Sequence, residues 1–362
     1  MPGTEVIRAA RGVLLAALGL GACGADRAAV PAPWSKVPGN AVMAFVAPVG
    51  HLPRELDVLC EDLVRSAGLR SGSEGDIGWL IDPRAPTGYA SLADSPTFRR
   101  AFALRPPPSL AADSAWLFVD LQVQVDGIRA RLVDRGRFME PLLDALGLSN
   151  LLFAVGEVKV GGKGGATAGL DVDLEVESVD SGVGPCALIA ADAAAPSPLG
   201  DPAEADRAWL ELRFDPAVAA RMVSAAMPQL REGEVRLDAA LFGYLAGAGV
   251  ALMKQADGRL ALRIGSDTGL EFALGVRDQE EARDILARRI PQLDRDDFKL
   301  PTGETVRFEP GRIVVARGET VPAGGFRPTE PCVGRVAVGA QRIGFGIVHE
   351  GPTILRVRIR SD

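Results

Sequence analysis

The chain has 362 residues, 47% apolar and 24% charged, with a net charge of -7 at neutral pH. That composition is enough for one large or two ordinary folded domains and excludes disorder as the default state. The acidic balance, with no basic face, excludes a general nucleic-acid binder.

The first element is an N-terminal signal. Arg8 and Arg11 precede an apolar run from Val13 to Leu20 and then small residues, the order of a secretory leader. The run is too short to cross a bilayer core of roughly 30 Å as a helix. A soluble secreted protein cut nearby and an uncleaved N-terminal helix are the other readings of the same run. Leu20-Gly21-Ala22-Cys23 resembles the lipobox of bacterial lipoproteins. The resemblance implies that residues 1–22 are removed and that Cys23 is diacylated on sulfur and acylated on its new amine. Two or three acyl chains, such as palmitate, hold a protein firmly to a membrane. Gly24 in place of an aspartate points, by analogy with enteric bacteria, to the outer membrane of the cell envelope. No later stretch reaches 18 uninterrupted apolar residues, so no transmembrane helix is expected.

Residues 23–37 are small, Pro-containing and aperiodic, and read as the lipidated N-terminus and a tether. A first lobe is expected over 38–189. It opens with the strand "NAVMAFVAPV" and a helix around Cys60, where Leu52, Leu56, Leu59 and Leu63 recur at helical spacing. Residues 69–95 are Gly/Ser/Pro-rich and read as irregular, and Ser95-Pro96 caps a short helix. "AWLFVDLQV" is a strand, 125–147 is helical, and "LLFAVGEVKV" and "ATAGLDVDLEVES" form a hairpin across "GGKGG". In the latter, Leu170, Val172, Leu174 and Val176 alternate with Asp171, Asp173, Glu175 and Glu177, which predicts one apolar and one acidic face.

An Ala/Pro-rich linker, 190–206, leads to a second lobe, 207–362. "ADRAWLELRFDP" repeats the earlier "ADSAWLFVDL", each leading from a strand towards a helix. "VALMKQ", "RLALRIG" and "LEFALGV" read as a meander, and Asp278 with Glu281 makes a capping box. "TVRFEPGRIVVA" and "RIGFGIVHEGPTILRVRIRSD" are further hairpins. The shared order predicts an α+β fold of mostly antiparallel sheets with helices on one face, built by internal duplication of a strand–helix–strands unit. The phrases "LADSPTFRRAF", "ADSAWLFVDL" and "ALGVRDQEEARDIL" resemble an uncharacterised family of bacterial envelope proteins. That resemblance implies the architecture and no activity.

Chemistry-bearing patterns are sparse. His51 and His349 lack partners at metal-ligand spacing, and no C-x-x-C occurs. "GGKGG" leads into an alternating strand rather than a helix, so it is a turn and not a phosphate loop. "DRDDF" at 294–298 lacks the glycine and distal glutamate of a calcium loop. The four alternating carboxylates lie about 6.8 Å apart, too far for one calcium ion to gather more than two. Arg356, Arg358 and Arg360 alternate with Leu355, Val357 and Ile359, and are expected to neutralise the acidic stripe by cross-strand pairing, with anionic headgroups as the competing target. Cys60 reads as an inert core thiol. Cys186 and Cys332, in Pro/Gly-flanked loops, are the pair favoured for a disulfide, although spacing alone does not fix connectivity.

The sequence therefore predicts a lipid-anchored envelope protein of non-catalytic binding or scaffold type. It is expected to have no enzymatic activity, no cofactor and no metal, and to meet the membrane through its anchor. The alternative is a carrier holding an apolar or lipid ligand between sheet and helices.

Overall fold

The computed structural model describes residues 32–361 apart from 48–67, 85–87, 109–113, 124–143, 146, 162–168, 180–181, 193–194, 200, 205, 233–248, 266–268, 289–296, 300–303, 318–325 and 339–340. The first lobe contains β1 (Ala41–Val46), β2 (Arg70–Glu74), β3 (Ile77–Ile81), helix α1 (Pro96–Leu104), β4 (Ser114–Asp120), β5 (Leu151–Gly161), β6 (Gly169–Ser178) and the short helix α2 (Pro185–Leu188). The second contains β7 (Ala208–Arg213), helix α3 (Pro216–Glu232), β8 (Ala256–Ile264), β9 (Leu270–Val276) and helix α4 (Gln279–Ala287). It continues with β10 (Asp297–Lys299), β11 (Thr305–Glu309), β12 (Arg312–Arg317), β13 (Cys332–Val338), β14 (Gln341–Gly351) and β15 (Ile354–Ser361).

Among the described residues, all fifteen strands belong to one sheet, in the order β10-β11-β12-β9-β8-β7-β13-β14-β15-β6-β5-β4-β1-β3-β2. Every neighbouring pair is antiparallel. The sheet runs unbroken from one lobe to the other, because β15 pairs with β6. The strands at its two ends are short and polar: β2 reads RSGSE and β10 reads DFK. Short, charged edges discourage pairing with another chain.

Two faces can be followed strand by strand, because directly opposed residues point the same way. Trp116, Glu157, Asp173, Arg358 and Gly346 stand opposite one another in succession. Val333, Glu211, Ala261, Ala273 and Val314 continue the series. These residues mark face A, and the residues alternating with them mark face B.

Helix α1 packs on face A, where Phe98 and Phe102 meet Trp34, Trp116, Phe118 and Phe153. The rings sit in tilted and edge-on pairs, with 4.8 Å between the centroids of Trp34 and Phe98 and 5.0 Å between Phe98 and Phe118. Trp116 Nε1 donates to the Arg105 carbonyl (2.9 Å), which satisfies the polar end of this buried indole. Helices α3 and α4 pack instead on face B, where Ala219 and Ala282 meet Leu274, Val276 and Ile313.

The expected α+β class with helices on one face is therefore overturned. The protein is dominated by one large antiparallel sheet with a few short helices, and these lie on opposite faces in the two lobes. Alternation within each strand fixes which side chains share a face but does not say which face receives a helix.

Local expectations fared variously, each for a physical reason. Ser95 accepts from the Phe98 amide (3.3 Å) and Asp278 from the Glu281 amide (3.0 Å), capping α1 and α4 as their sequences predict. Residues 69–95, read as irregular, contain the β2–β3 hairpin, turned at Gly75 with φ +58°. Its outer strand is Gly/Ser-rich and fully polar, so it carries no apolar alternation to detect. Residues 250–255 are helical rather than a strand: Ala, Leu, Met, Lys and Gln are good helix formers, and Leu252 and Met253 join the face B core. The two A-D-x-A-W-L stretches open β4 and β7, and each is followed by helix and then by two successive neighbours in the sheet, β5–β6 and β8–β9. The 190–206 stretch does not behave as a free spacer, since Ser197, Pro198 and Leu199 are buried against face A.

Candidate functional site

Three surface features are built by this sheet. The first is a charged groove of about 350 Å³ over β5, β6 and β15 on face A. Register places Arg356 opposite Glu175, Arg358 opposite Asp173 and Arg360 opposite Asp171, so the acidic stripe and the arginine strand are adjacent, as their alternation predicts. Arg356 grips Asp173 diagonally with both edge nitrogens, Nε to Oδ1 at 2.8 Å and Nη2 to Oδ2 at 2.6 Å. Arg105, just past α1, reaches down onto Asp173 (3.3 Å) and Glu175 (3.7 Å). Arg358 turns to Glu330 (3.3 Å), and Arg360 lies 3.6 Å from Asp171. The Arg356 hydrogen bonds, opposed by partial burial and helped by the charge of Arg105, hold the Asp173 carboxyl down at about 2. The Arg356 guanidinium is pushed up by the same contact. The groove is thus an ion-pair lattice with its charges already matched. Among the described residues, no group of three or more His, Cys, Asp or Glu side chains could hold a metal ion.

The second feature is an open cleft of about 680 Å³ beside α2 and the start of α3, lined by Ile189, Asp215, Arg277 and His349. Asp215 and His349 are engaged by the backbone. Asp215 caps α3, accepting from the amides of Ala217 (2.7 Å) and Val218 (3.1 Å). His349 donates from Nε2 to the Ile189 carbonyl (2.7 Å), and its Nδ1 lies 3.3 Å from the Gly351 carbonyl. The Nε2–H of His349 is thereby spent on a main-chain oxygen, which fixes the ring against the end of α2.

The third feature is apolar. On face B, Leu270, Ile264, Ala208, Val336 and Ile343 stand opposite one another across β9, β8, β7, β13 and β14. The next row is Phe272, Leu262, Leu210, Gly334, Phe345 and Ile359, reaching β15. Five inter-strand steps make that row about 24 Å long. Ile264 is 37% and Val336 40% exposed, and the large side chains of the second row are half-buried. Phe272 packs at the edge of the core beneath α3 and α4, and Leu210 and Phe345 pack against the cluster of Cys186, Ile189, Cys332 and Leu355, so the part of the rows open to solvent centres on Ile264 and Val336.

The residues singled out in the sequence fall as follows. Cys23, His51 and Cys60 lie outside the described residues. Cys186 and Cys332 both carry free thiols in this structure. They share one buried cluster with Ile189 and Leu355, and burial pushes both thiols up, Cys332 to about 11. The Gly161–Gly169 pairing makes "GGKGG" the connection of a β5–β6 hairpin. No described helix is long and apolar enough to cross a membrane.

Sequence reasoning missed a buried charged group on face A: Glu211, Arg213, Arg263, Glu271 and Arg312 are each under 9% exposed. Alternation of charged with apolar residues in β7 and β8 reads as a wet face, whereas Ser197, Pro198 and Leu199 of the 190–206 segment lie over it. The signal available was the excess of apolar and proline residues in that segment. Compared with known protein families, characterised proteins and solved structures, the chain matches none.

Proposed function

We propose that the protein is a lipid-anchored binding protein of the bacterial cell envelope, held in the outer membrane through Cys23. Its work is to present a surface, and it makes and breaks no bonds. The observation that carries this reading is the double apolar row on face B, with Ile264 and Val336 more than a third exposed. It is supported by the cleft, whose Asp215 and His349 are committed to a helix cap and to main-chain carbonyls. The second reading, a carrier of an apolar or lipid ligand, is favoured by the makeup of those rows. Every side chain in them is apolar, while the charges of the same strands lie on face A.

One experiment addresses both. The full chain bearing Cys23→Ser has no anchor lipid of its own, so any acyl chain extracted from it is cargo. The carrier reading expects roughly one acyl-bearing molecule per protein by mass spectrometry, lost in Val336→Asp. The scaffold reading expects none, with the wild-type chain fractionating with membranes and the Cys23→Ser chain released. Wild-type protein whose Cys23 carries no acyl chain overturns the anchor itself.

A further inference from the structure

Residues 195–199 and 201–204 lie across face A and are held by four arginines from three strands, β8, β12 and β13. The carbonyls of Pro196, Pro198, Asp201 and Ala203 accept from Arg259, Arg312, Arg263 and Arg335 respectively. A proline-rich segment suits this role, because it offers carbonyls while lacking many of the N–H groups that would need acceptors of their own. Leu199 is fully buried in a cup formed by Ala261, Ala273, Val314 and Ala316, where small side chains leave room for one large one. Between these anchors, Ser197 donates its hydroxyl to Glu211 Oε1 (2.6 Å) and its amide to the Phe326 carbonyl (2.8 Å).

Glu211 is 3% exposed beneath this strap. Arg263 faces it from β8, with Nη2 3.6 Å from Oε1. Arg213 follows on its own strand, Arg259 and Asp257 lie farther along β8, and Glu271 stands beyond Arg263 on β9. On β13 the opposed residue is the uncharged Val333, and Asp192 lies on the strap side. Packing here is incomplete: Arg213 Nη2, Arg263 Nε and Nη2, and Trp209 Nε1 are buried without hydrogen-bond partners. Lifting the strap would hydrate those donors, so closure is weakly favoured and open to control.

We propose that residues 195–199 and 201–204 form a proton-operated latch, closed over a protonated Glu211 and released once that carboxyl ionises. Burial under the strap outweighs the help of Ser197 and Arg263 and holds Glu211 at about 7, against 4.5 for the ordinary carboxyl that an open strap would leave. The closed state binds the proton more tightly. Its advantage is complete below about 4.5, is lost progressively as pH rises through 7, and changes no further above that. Release uncovers the Ala-lined cup together with the arginine row.

The test is native-state hydrogen exchange of the Leu199 and Ser197 amides in the full chain, corrected for base-catalysed chemistry. Protection is expected to fall roughly tenfold per pH unit between about 5 and 7 and then level off. In Glu211→Gln, which keeps the shape without the charge, protection stays flat across that range. Ser197→Ala removes a hydrogen bond that favours the ionised form, so its levelling-off moves to higher pH. Wild-type protection independent of pH between 5 and 7, or an equal fall in Glu211→Gln, overturns the latch. If Glu211→Gln does not fold, an unmoved levelling-off in Ser197→Ala overturns it instead.

Discussion

Asp173→Asn removes the carboxylate at the centre of the charged groove while keeping its size. In the wild type that carboxyl receives two nitrogens from Arg356 and one from Arg105. Its proton affinity is held at about 2 against 3.8 for an unpaired aspartate. At about 1.4 kcal/mol per unit, the difference corresponds to roughly 2 kcal/mol at face value. Asp173 and Arg356 keep 26% and 31% of their side-chain surface in water, so screening brings the expected cost nearer to 1 kcal/mol. A depressed carboxyl stabilises the fold fully above about pH 4 and loses that contribution as pH falls towards 2. Urea unfolding should therefore separate Asp173→Asn from wild type by about 1 kcal/mol at pH 6, and the gap should narrow to roughly a third of that at pH 2.5. A gap of equal size at both pH values would refute the reasoning, because it would trace the loss to packing and not to charge.

Leu199→Ala empties the cup between Ala261, Ala273, Val314 and Ala316, and should cost roughly 3 kcal/mol in urea unfolding if the strap stays closed. A much smaller loss would mean that the strap detaches. Phe98→Ala removes a fully buried ring from the cluster with Trp34, Trp116 and Phe118; a loss of about 3–5 kcal/mol is expected, visible as a lowered thermal midpoint. Gly156→Ala places a methyl carbon 2.0 Å from the Asp173 carbonyl oxygen, a main-chain atom held in the β5–β6 ladder. It should destabilise by about 1–3 kcal/mol and weaken amide protection in both strands. A neutral outcome would place those strands farther apart than the register requires.

The parts legible in the sequence were those whose pattern is strictly local or strictly periodic. The alternation in 170–177 and in 355–360 gave both the two-faced strands and the complementarity between them, which the β6–β15 register realises. Ser95 and Asp278 announced helix starts because a cap is a matter of three or four residues. Other features depend on groups without a sequence signature. Main-chain carbonyls hold the strap, so a stretch rich in Ala and Pro looked like a spacer. Arg259, Arg263 and Arg312 looked solvated because nothing in β8 or β12 reveals that another segment lies over them. The choice of face for α1 against α3 and α4 is set by chain crossings between strands, which strand patterns do not encode. The apolar rows of face B were legible residue by residue as alternating strands. Their joining into one surface required the strand order.

The order also sets when the molecule can be completed. Among the described strands, β15 comes last in sequence yet holds the ninth of fifteen places in the sheet, with β14 on one side and β6 on the other. During synthesis, the part of the sheet ending at β6 must wait with an unpaired border for a partner made some 180 residues later. A chain interrupted before residue 354 would lack the joint between the two parts and leave two long sticky borders. Quality control that senses such borders would discard incomplete copies.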